Sequence, residues 1–132
     1  MKQHCANAET VKEFLLKHSK VEKVIYSTLH DGEIGDRAKR YLKGGNGALM
    51  GIELKGGLEA GKKFIDNLKM LYHVANIGDA RSLAIHPAST THSQLSEEEM
   101  AAAGVTPGYV RLSIGIEHSD DIITDLDQAL KA

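Results

Sequence analysis

The sequence predicts an α+β fold in which a mostly antiparallel sheet carries helices on one face. Short β-branched, apolar segments alternate along the chain with amphipathic helical segments. The connections between these segments are short, and no low-complexity linker or internal repeat divides the 132 residues. A chain of this length with 42% hydrophobic residues forms one domain with a substantial core.

These periodicities predict five strands and five helices. The strands are expected at residues 21–27, 48–54, 71–74, 82–85 and 109–114. The helices are expected at residues 8–18, 37–42, 57–69, 96–103 and 119–131. Residues 30–35 are polar and are assigned to a loop. A sheet covered on one side leaves its other face to solvent or to a partner domain.

Local signals mark several helix ends and one turn. Asn7 is the expected N-cap of the first helix, and Ser119 that of the last. Ser96 and Glu99 form a capping box ahead of the fourth helix. Residues 44–47, Gly-Gly-Asn-Gly, are expected to turn, because glycine and asparagine tolerate positive φ.

Composition excludes several classes of function. The net charge of −2 and an aromatic content of 5% without tryptophan argue against nucleic-acid binding. The N-terminus has no apolar signal region, and no run approaches the length of a membrane span. The single cysteine, Cys5, rules out an internal disulfide and is interpreted as a small apolar residue. We therefore expect a cytoplasmic protein.

Arg111 is the leading candidate for ligand binding. It lies in an apolar strand, and an arginine there can hold a carboxylate through two parallel hydrogen bonds. The alternative is an arginine on the solvent side of the strand that pairs with a carboxylate such as Glu117. Spacing alone leaves these two interpretations equally open.

Other polar segments give weaker signals. Residues 89–92, Ser-Thr-Thr-His, offer hydroxyls and an imidazole, either for a ligand or to cap their own loop, and composition favours the loop. His86 and His92 do not have the spacing of zinc ligands, so no metal site is expected. Residues 56–63 approach a phosphate-binding loop but have Lys63 where that motif needs a hydroxyl, and they indicate a helix start.

Four segments resemble the Cys/Met-metabolism enzymes that depend on pyridoxal 5′-phosphate (PLP). They are Ala75-Asn-Ile-Gly-Asp-Ala-Arg-Ser-Leu83, His86-Pro-Ala-Ser-Thr-Thr-His92, Gly108-Tyr-Val-Arg-Leu-Ser-Ile-Gly-Ile-Glu117 and Asp121-Ile-Ile-Thr-Asp-Leu126. The resemblance extends over the chain and implies the C-terminal domain of the aspartate-aminotransferase type fold (fold type I). Residues 1–132 would then be the domain that binds the substrate carboxylate.

The resemblance also implies roles for individual residues. Arg111 matches the family arginine that holds the substrate α-carboxylate. Asn76 lies where the family's backbone and side chain help to bind that carboxylate, and Thr91 matches a threonine that lines the same pocket. Ser89 and His92 are secondary candidates.

The chain also departs from the family pattern. The Ser-x-Thr-Lys segment whose lysine forms the Schiff base is absent, and so are the other cofactor anchors, which belong to the family's N-terminal domain. Ser27-Thr28 stands where the family commonly has Pro-Gly. The resemblance thus implies PLP as cofactor of a longer enzyme, an N-terminal cofactor domain as partner, and a homo-oligomer.

Within the family, the residues of these motifs are most similar to those of the O-acetylhomoserine sulfhydrylases. These transferases make homocysteine or methionine by γ-replacement on an amino-acid substrate, and this chain alone is expected to be inactive. A domain of the methionine γ-lyase or cystathionine γ-synthase type is one alternative. A non-catalytic module that binds a small acid or a protein is another.

Overall fold

The computed structural model describes all 132 residues and contains five strands in one sheet. The strands are β1 (Val21–Ile25), β2 (Leu49–Leu54), β3 (Tyr72–His73), β4 (Leu83–Ile85) and β5 (Tyr109–Ser113), in the spatial order β1-β2-β5-β4-β3. All neighbouring strands are antiparallel except β3 and β4. The predicted α+β class with a mostly antiparallel sheet is confirmed.

Five α-helices accompany the sheet. They are α1 (Lys2–Lys17), α2 (Gly32–Tyr41), α3 (Gly57–Asn67), α4 (Glu97–Ala102) and α5 (Ser119–Lys131). Single 3-10 turns occupy Ser27–Leu29 and Pro87–Ser89. Helices α1, α3 and α5 pack on the sheet and on one another, whereas α2 buries only Gly35 and α4 buries no residue.

The core lies between one face of the sheet and these three helices. Alternate residues of the central strands enter it, including Met50 and Ile52 from β2 and Val110 and Leu112 from β5. Because successive side chains of a strand point to opposite faces, the residues between them lie on the other face. Burying the large apolar side chains is worth about 1.5–3 kcal/mol each and drives this layering.

Two helix caps differ from the prediction, and a third is confirmed. Helix α1 begins at Lys2, and Asn7 lies inside it with 2% of its surface exposed, so Asn7 is not an N-cap. The cap of α5 is His118, whose ring Nδ1 accepts from the N–H of Asp120 at 3.3 Å, rather than Ser119. The capping box of Ser96 and Glu99 is confirmed.

Helix α2 also starts earlier than predicted and includes residues assigned to a loop. Its first turn carries an ion pair between Glu33 and Arg37, one turn apart. Gly35 lies so close to the chain before the helix that a Cβ there would be 2.2 Å from the carbonyl oxygen of His30. Gly35 is the one buried residue of α2, and with Gly32 it gives the first turns of this helix a low intrinsic helix propensity, so the sequence places the start of the helix too late.

A carboxylate that the sequence does not reveal joins α5 to the start of β3. Asp125 is 5% exposed and accepts hydrogen bonds from the backbone N–H groups of Lys69, Met70 and Leu71 at 2.8, 2.9 and 3.0 Å. Hydrogen bonds to a charged acceptor are stronger than neutral ones. Asp125 therefore fixes how the last helix lies against the chain between α3 and β3.

Residues 44–47, predicted as a turn, form an irregular segment with a bend at Gly44 and positive φ at Gly45 and Gly47. Hydrogen bonds hold this segment to α1 and to Tyr26, the residue after β1. The Tyr26 hydroxyl donates to the carbonyl of Gly47 at 2.8 Å. The side chain of Asn46 donates to Glu9 at 3.0 Å, and Lys12 pairs with Glu9 at 2.5 Å. Burial raises the pKa of Glu9, but hydrogen bonds from Lys12 and Asn46 outweigh it, so the net shift lowers this pKa below 4.5.

His86 is fully buried beside α3 and links two loops. Its Nε2 donates to the carbonyl of Pro107 at 2.7 Å, and its Nδ1 lies 2.8 Å from the Ser89 hydroxyl. A Cβ at Gly61 would lie 2.3 Å from Nε2. Gly61 therefore provides the space in which the imidazole sits.

We expect the substitution G61A to destabilise the protein by about 1–3 kcal/mol, because the added methyl would displace the buried imidazole of His86. The sign is diagnostic, since glycine to alanine in an unobstructed helix stabilises by about 0.4–1 kcal/mol. Denaturant unfolding checks this. The control is G44A, at a position without positive φ and with nothing within 4 Å of a Cβ, which should not destabilise.

The lowered pKa of Glu9 predicts a pH dependence of stability. A carboxyl whose pKa is lower in the folded than in the unfolded state stabilises the fold above its unfolded value, and that contribution disappears as the pH falls through the folded value. The difference in unfolding free energy between the native chain and E9Q should therefore shrink between about pH 5 and pH 3. A difference that stays constant over this range would contradict the prediction.

Candidate functional site

The face of the sheet opposite the helices carries Arg111. In the register of the strands, Arg111 pairs with Gly51 of β2 on one side and with Ile85 of β4 on the other. Paired residues of neighbouring strands lie on the same face. We call this surface the open face. Arg111 is thus placed at the centre of the sheet and away from the hydrophobic core.

Arg111 has no carboxylate partner within the protein. It is half-buried, no acidic group lies within 4.0 Å of its guanidinium, and its one hydrogen bond is to the carbonyl oxygen of Asn76 at 3.1 Å. Glu117, the partner considered from the sequence, is bonded to Ser82 instead. The interpretation of Arg111 as half of an ion pair with Glu117 is wrong, and its remaining N–H groups have no partner within the protein.

Asn76 reaches Arg111 through its backbone rather than its side chain. Its carbonyl oxygen accepts from Arg111, while its side-chain oxygen accepts from the N–H of Ile77 at 3.0 Å and stabilises the local turn. Asn76 is exposed, so its amide nitrogen also faces solvent. The structure therefore brings together two of the three residues singled out as the primary site.

Thr91 and its neighbours bond mainly within their own loop. The Thr91 hydroxyl lies 2.8 Å from Nδ1 of His92, and Ser89 contacts His86. The Thr90 hydroxyl donates to the carbonyl of His86 at 2.8 Å. These contacts favour the interpretation of residues 89–92 as a self-capped loop, and none of these hydroxyls bonds to Arg111 or Asn76.

Tyr109 is a residue of the open face that the sequence did not single out for the site. Its ring lies over Gly51, where a Cβ would meet Cε2 at 2.4 Å and the hydroxyl oxygen at 2.8 Å. Burial raises the pKa of Tyr109, the charge of Arg111 opposes this, and the charge of Glu53 adds to it. The phenol thus forms part of the surface beside Arg111. A glycine inside a predicted strand, which marks a place where another group approaches the backbone closely, is the signal that could have found it.

No lysine of this chain has surroundings suited to an imine with a cofactor. Lys12 is the one buried lysine, and its hydrogen bond to Glu9, opposed by burial, raises its pKa and keeps it charged. An imine-forming lysine needs the opposite shift, toward the neutral amine. The other lysines are exposed. The chain by itself therefore does not fit PLP.

Two other motifs have structural roles. Gly56, with a φ of +101°, precedes the first turn of α3, and Lys62 pairs with Glu59 at 2.9 Å while Lys63 is exposed. Residues 56–63 therefore form a helix start, as predicted. The structure groups no three His, Cys, Asp or Glu side chains so that they could hold a metal ion.

None of the helices combines the length and the apolar character required to cross a bilayer.

The fold and the open face define a class of domain, an α+β layer with a half-buried arginine at the centre of its open face that has no acidic partner. Comparison with known sequences identifies the family of this domain. The family model described as Cys/Met metabolism PLP-dependent enzyme matches residues 1–131. The chain belongs to this family, as its motifs indicated.

The relatives of this chain have more than one activity. The O-acetyl-L-homoserine sulfhydrylase of Leptospira meyeri is 55% identical over 99% of this chain. The L-methionine gamma-lyase of Fusobacterium nucleatum subsp. polymorphum is 48% identical, also over 99%. The chain spans 30% and 33% of these two relatives, so it corresponds to one part of a longer enzyme.

A solved structure confirms the fold assignment. The putative O-acetylhomoserine (thiol)-lyase of Campylobacter jejuni superposes with a TM-score of 0.89 at 44% identity, over 99% of this chain and 31% of that one. That crystal structure contains a pyridoxyl-lysine phosphate, which lies outside the region that this chain matches. The cofactor of the family is therefore held by residues that this chain does not contain.

We expect G51A to disturb the open face by colliding with the Tyr109 ring, at a cost of about 1–3 kcal/mol. In the double variant G51A/Y109A the ring is gone, so the alanine should cost little. A double-mutant cycle measured by denaturant unfolding would then give a coupling energy of at least about 1 kcal/mol. Additive effects would show that the ring does not rest on Gly51.

Proposed function

We propose that this chain is the C-terminal, substrate-carboxylate-binding part of a PLP-dependent O-acetylhomoserine sulfhydrylase. The observation that carries the proposal is Arg111, a central guanidinium on the open face with no acidic partner. The sulfhydrylase of Leptospira meyeri, at 55% identity, supports the particular reaction. The whole enzyme would replace the acetate of the substrate with sulfide or a thiol, in the cytoplasm and as part of methionine biosynthesis, and would act as a homo-oligomer.

The residues of this chain would bind and orient the substrate. Arg111 donates two parallel hydrogen bonds to the α-carboxylate, and its hydrogen bond to the Asn76 carbonyl fixes the orientation of the guanidinium. Asn76 adds its exposed side-chain amide as a further donor, and Thr91 lines the pocket when the ligand is bound. Fixing the carboxylate restricts how the amino acid presents its Cα–H bond, which is an orientation effect on rate.

A methionine γ-lyase is the second candidate, because a relative with that name is 48% identical over nearly the whole chain. The same carboxylate contact would serve either reaction. A non-catalytic module for small acids or proteins is the alternative from another class. It differs from both enzymes in needing no second domain.

A chimera separates these candidates. Residues 1–132 would replace the segment that they match in the Leptospira meyeri sulfhydrylase, and activity would be measured with PLP. We expect homocysteine from O-acetyl-L-homoserine and sulfide, with little breakdown of methionine. Faster release of methanethiol from methionine would favour the lyase. A folded chimera with neither activity would contradict both enzymes.

Arg111 provides the site-specific test in the same chimera. We expect R111Q to lower kcat/KM for O-acetyl-L-homoserine by roughly 10²- to 10³-fold, because charge-assisted hydrogen bonds contribute about 1.5–3 kcal/mol each. R40Q is the matched control, since Arg40 is an exposed arginine of α2 stacked on Tyr41. Equal losses in the two variants would argue against a carboxylate site at Arg111.

The 132-residue chain alone should be inactive. With O-acetyl-L-homoserine, sulfide and added PLP it should produce homocysteine no faster than a blank without protein. Production at the rate of the chimera would show that the chain carries the full catalytic machinery and would overturn the proposed division of roles.

A further inference from the structure

A hydrogen-bond network that does not include Arg111 holds the segment that carries Asn76. The Glu117 carboxylate accepts from the N–H of Ser82 at 2.6 Å and from the Ser82 hydroxyl at 2.9 Å. The Ser82 oxygen in turn accepts from the N–H of Gly115 at 2.9 Å. Ser82 is fully buried, and no cation lies within 4.0 Å of Glu117. The carboxylate is thus held by neutral donors.

The same network fastens the end of residues 76–81, which we call the Asn76 loop. The N–H of Ile116 donates to the carbonyl of Ala80 at 2.8 Å. The two segments pass so closely that a Cβ at Gly115 would lie 2.4 Å from that carbonyl oxygen and 2.3 Å from the Glu117 carboxylate. The contact therefore depends on a glycine at position 115 and on the bonded position of Glu117.

Helix α1 contributes one more residue to the network. The buried side chain of Asn7 donates to the carbonyl oxygens of Gly115 and Glu117 at 3.0 and 2.7 Å. These bonds explain why Asn7 lies inside the helix rather than at its start. They hold the residues after β5 against helix α1, and this fixes the position of Glu117 where it bonds to Ser82.

The Asn76 loop has few other attachments. Residues 76–81 are all exposed. Besides the bond from Arg111 to Asn76, the N–H of Gly78 donates to the Ser113 hydroxyl at 3.3 Å, which is long for a hydrogen bond, and the Arg81 guanidinium lies 4.7 Å from the centre of the Tyr72 ring at the loop's other end. The position of the Asn76 carbonyl against Arg111 therefore depends on how firmly Glu117 and Ser82 hold the loop's other end.

We propose that Glu117 is a positioning residue for the carboxylate site. Its bonds to Ser82 fix the Asn76 loop across the open face, and the loop keeps the Arg111 guanidinium oriented toward an incoming acid. The same bonds occupy the nearest acidic side chain in sequence, so it does not neutralise Arg111. The role in acid binding rests on the proposed function, whereas the holding of the loop does not.

The test compares E117Q with D125N in the 132-residue chain. Each variant turns a carboxylate that accepts backbone N–H groups into an amide, but Asp125 holds residues 69–71 instead of the Asn76 loop. Backbone order at Ile77 and Gly78 is measured by ¹⁵N relaxation. Acid binding is measured by NMR titration with O-acetyl-L-homoserine, with its methyl ester as the uncharged control.

We expect E117Q to lower the order of Ile77 and Gly78 and to weaken binding of the acid by roughly fivefold or more. Binding of the ester should not change. D125N should perturb the amide signals of Lys69 to Leu71 and leave acid affinity within about twofold. If E117Q does not fold, S82A removes the hydroxyl that donates to Glu117 and accepts from Gly115 but keeps the bond from the Ser82 N–H to Glu117, and it should shift both readouts in the same direction by less.

Each remaining outcome decides the matter. Unchanged loop order in E117Q overturns the positioning role, and a loosened loop with unchanged acid affinity overturns its part in binding. Equal loss of affinity in E117Q and D125N assigns the effect to general destabilisation and also overturns it. If the native chain binds the acid no better than the ester, the proposed function fails. The effect of E117Q on the order of the Asn76 loop and on the NMR signal of the Arg111 guanidinium then decides whether Glu117 positions the loop.

Discussion

The alternation of side chains along β2 and β5 governs this molecule. Met50, Ile52, Val110 and Leu112 enter the helical layer, so the residues between them must lie on the opposite face. A shift of the pairing by one residue would bury Arg111 in the core and expose the apolar set. The cost of burying an unpaired guanidinium therefore reinforces the register that the hydrophobic core selects. Packing and the candidate site are specified by the same constraint.

Much of the fold follows from local pattern. Strands β1, β2, β4 and β5 are short apolar segments, and α3 and α5 have an apolar stripe, so sequence periodicity finds them. The start of α2 was missed because Gly32 and Gly35 lower the helix propensity of its first turns. The start of α1 was missed because the Asn7 side chain does not cap the helix but donates hydrogen bonds to residues more than a hundred positions away. Such long-range partners leave no trace in local spacing.

The site was predictable in part, for a related reason. Arg111 is identifiable because a charged residue inside an apolar strand is unusual, but its neighbours depend on topology. Glu117 is close to Arg111 in sequence, yet the chain turns after β5 and brings it to Ser82. Tyr109 and Gly51 face each other only because β2 and β5 are adjacent. The role expected for Thr91 came from family resemblance, and its hydroxyl bonds to His92 here.

The central place of β5 in the sheet has a consequence for synthesis on the ribosome. β5 separates β2 from β4 in space, but it follows both in sequence and ends at Ser113. Until those residues leave the exit tunnel, the nascent chain has two unconnected strand pairs with unpaired edges. Contacts between distant parts of a sequence form slowly, and open edges favour aggregation. The growing chain therefore passes through a stage at which its strand pairs have open edges, and this stage ends when β5 emerges and pairs with both β2 and β4.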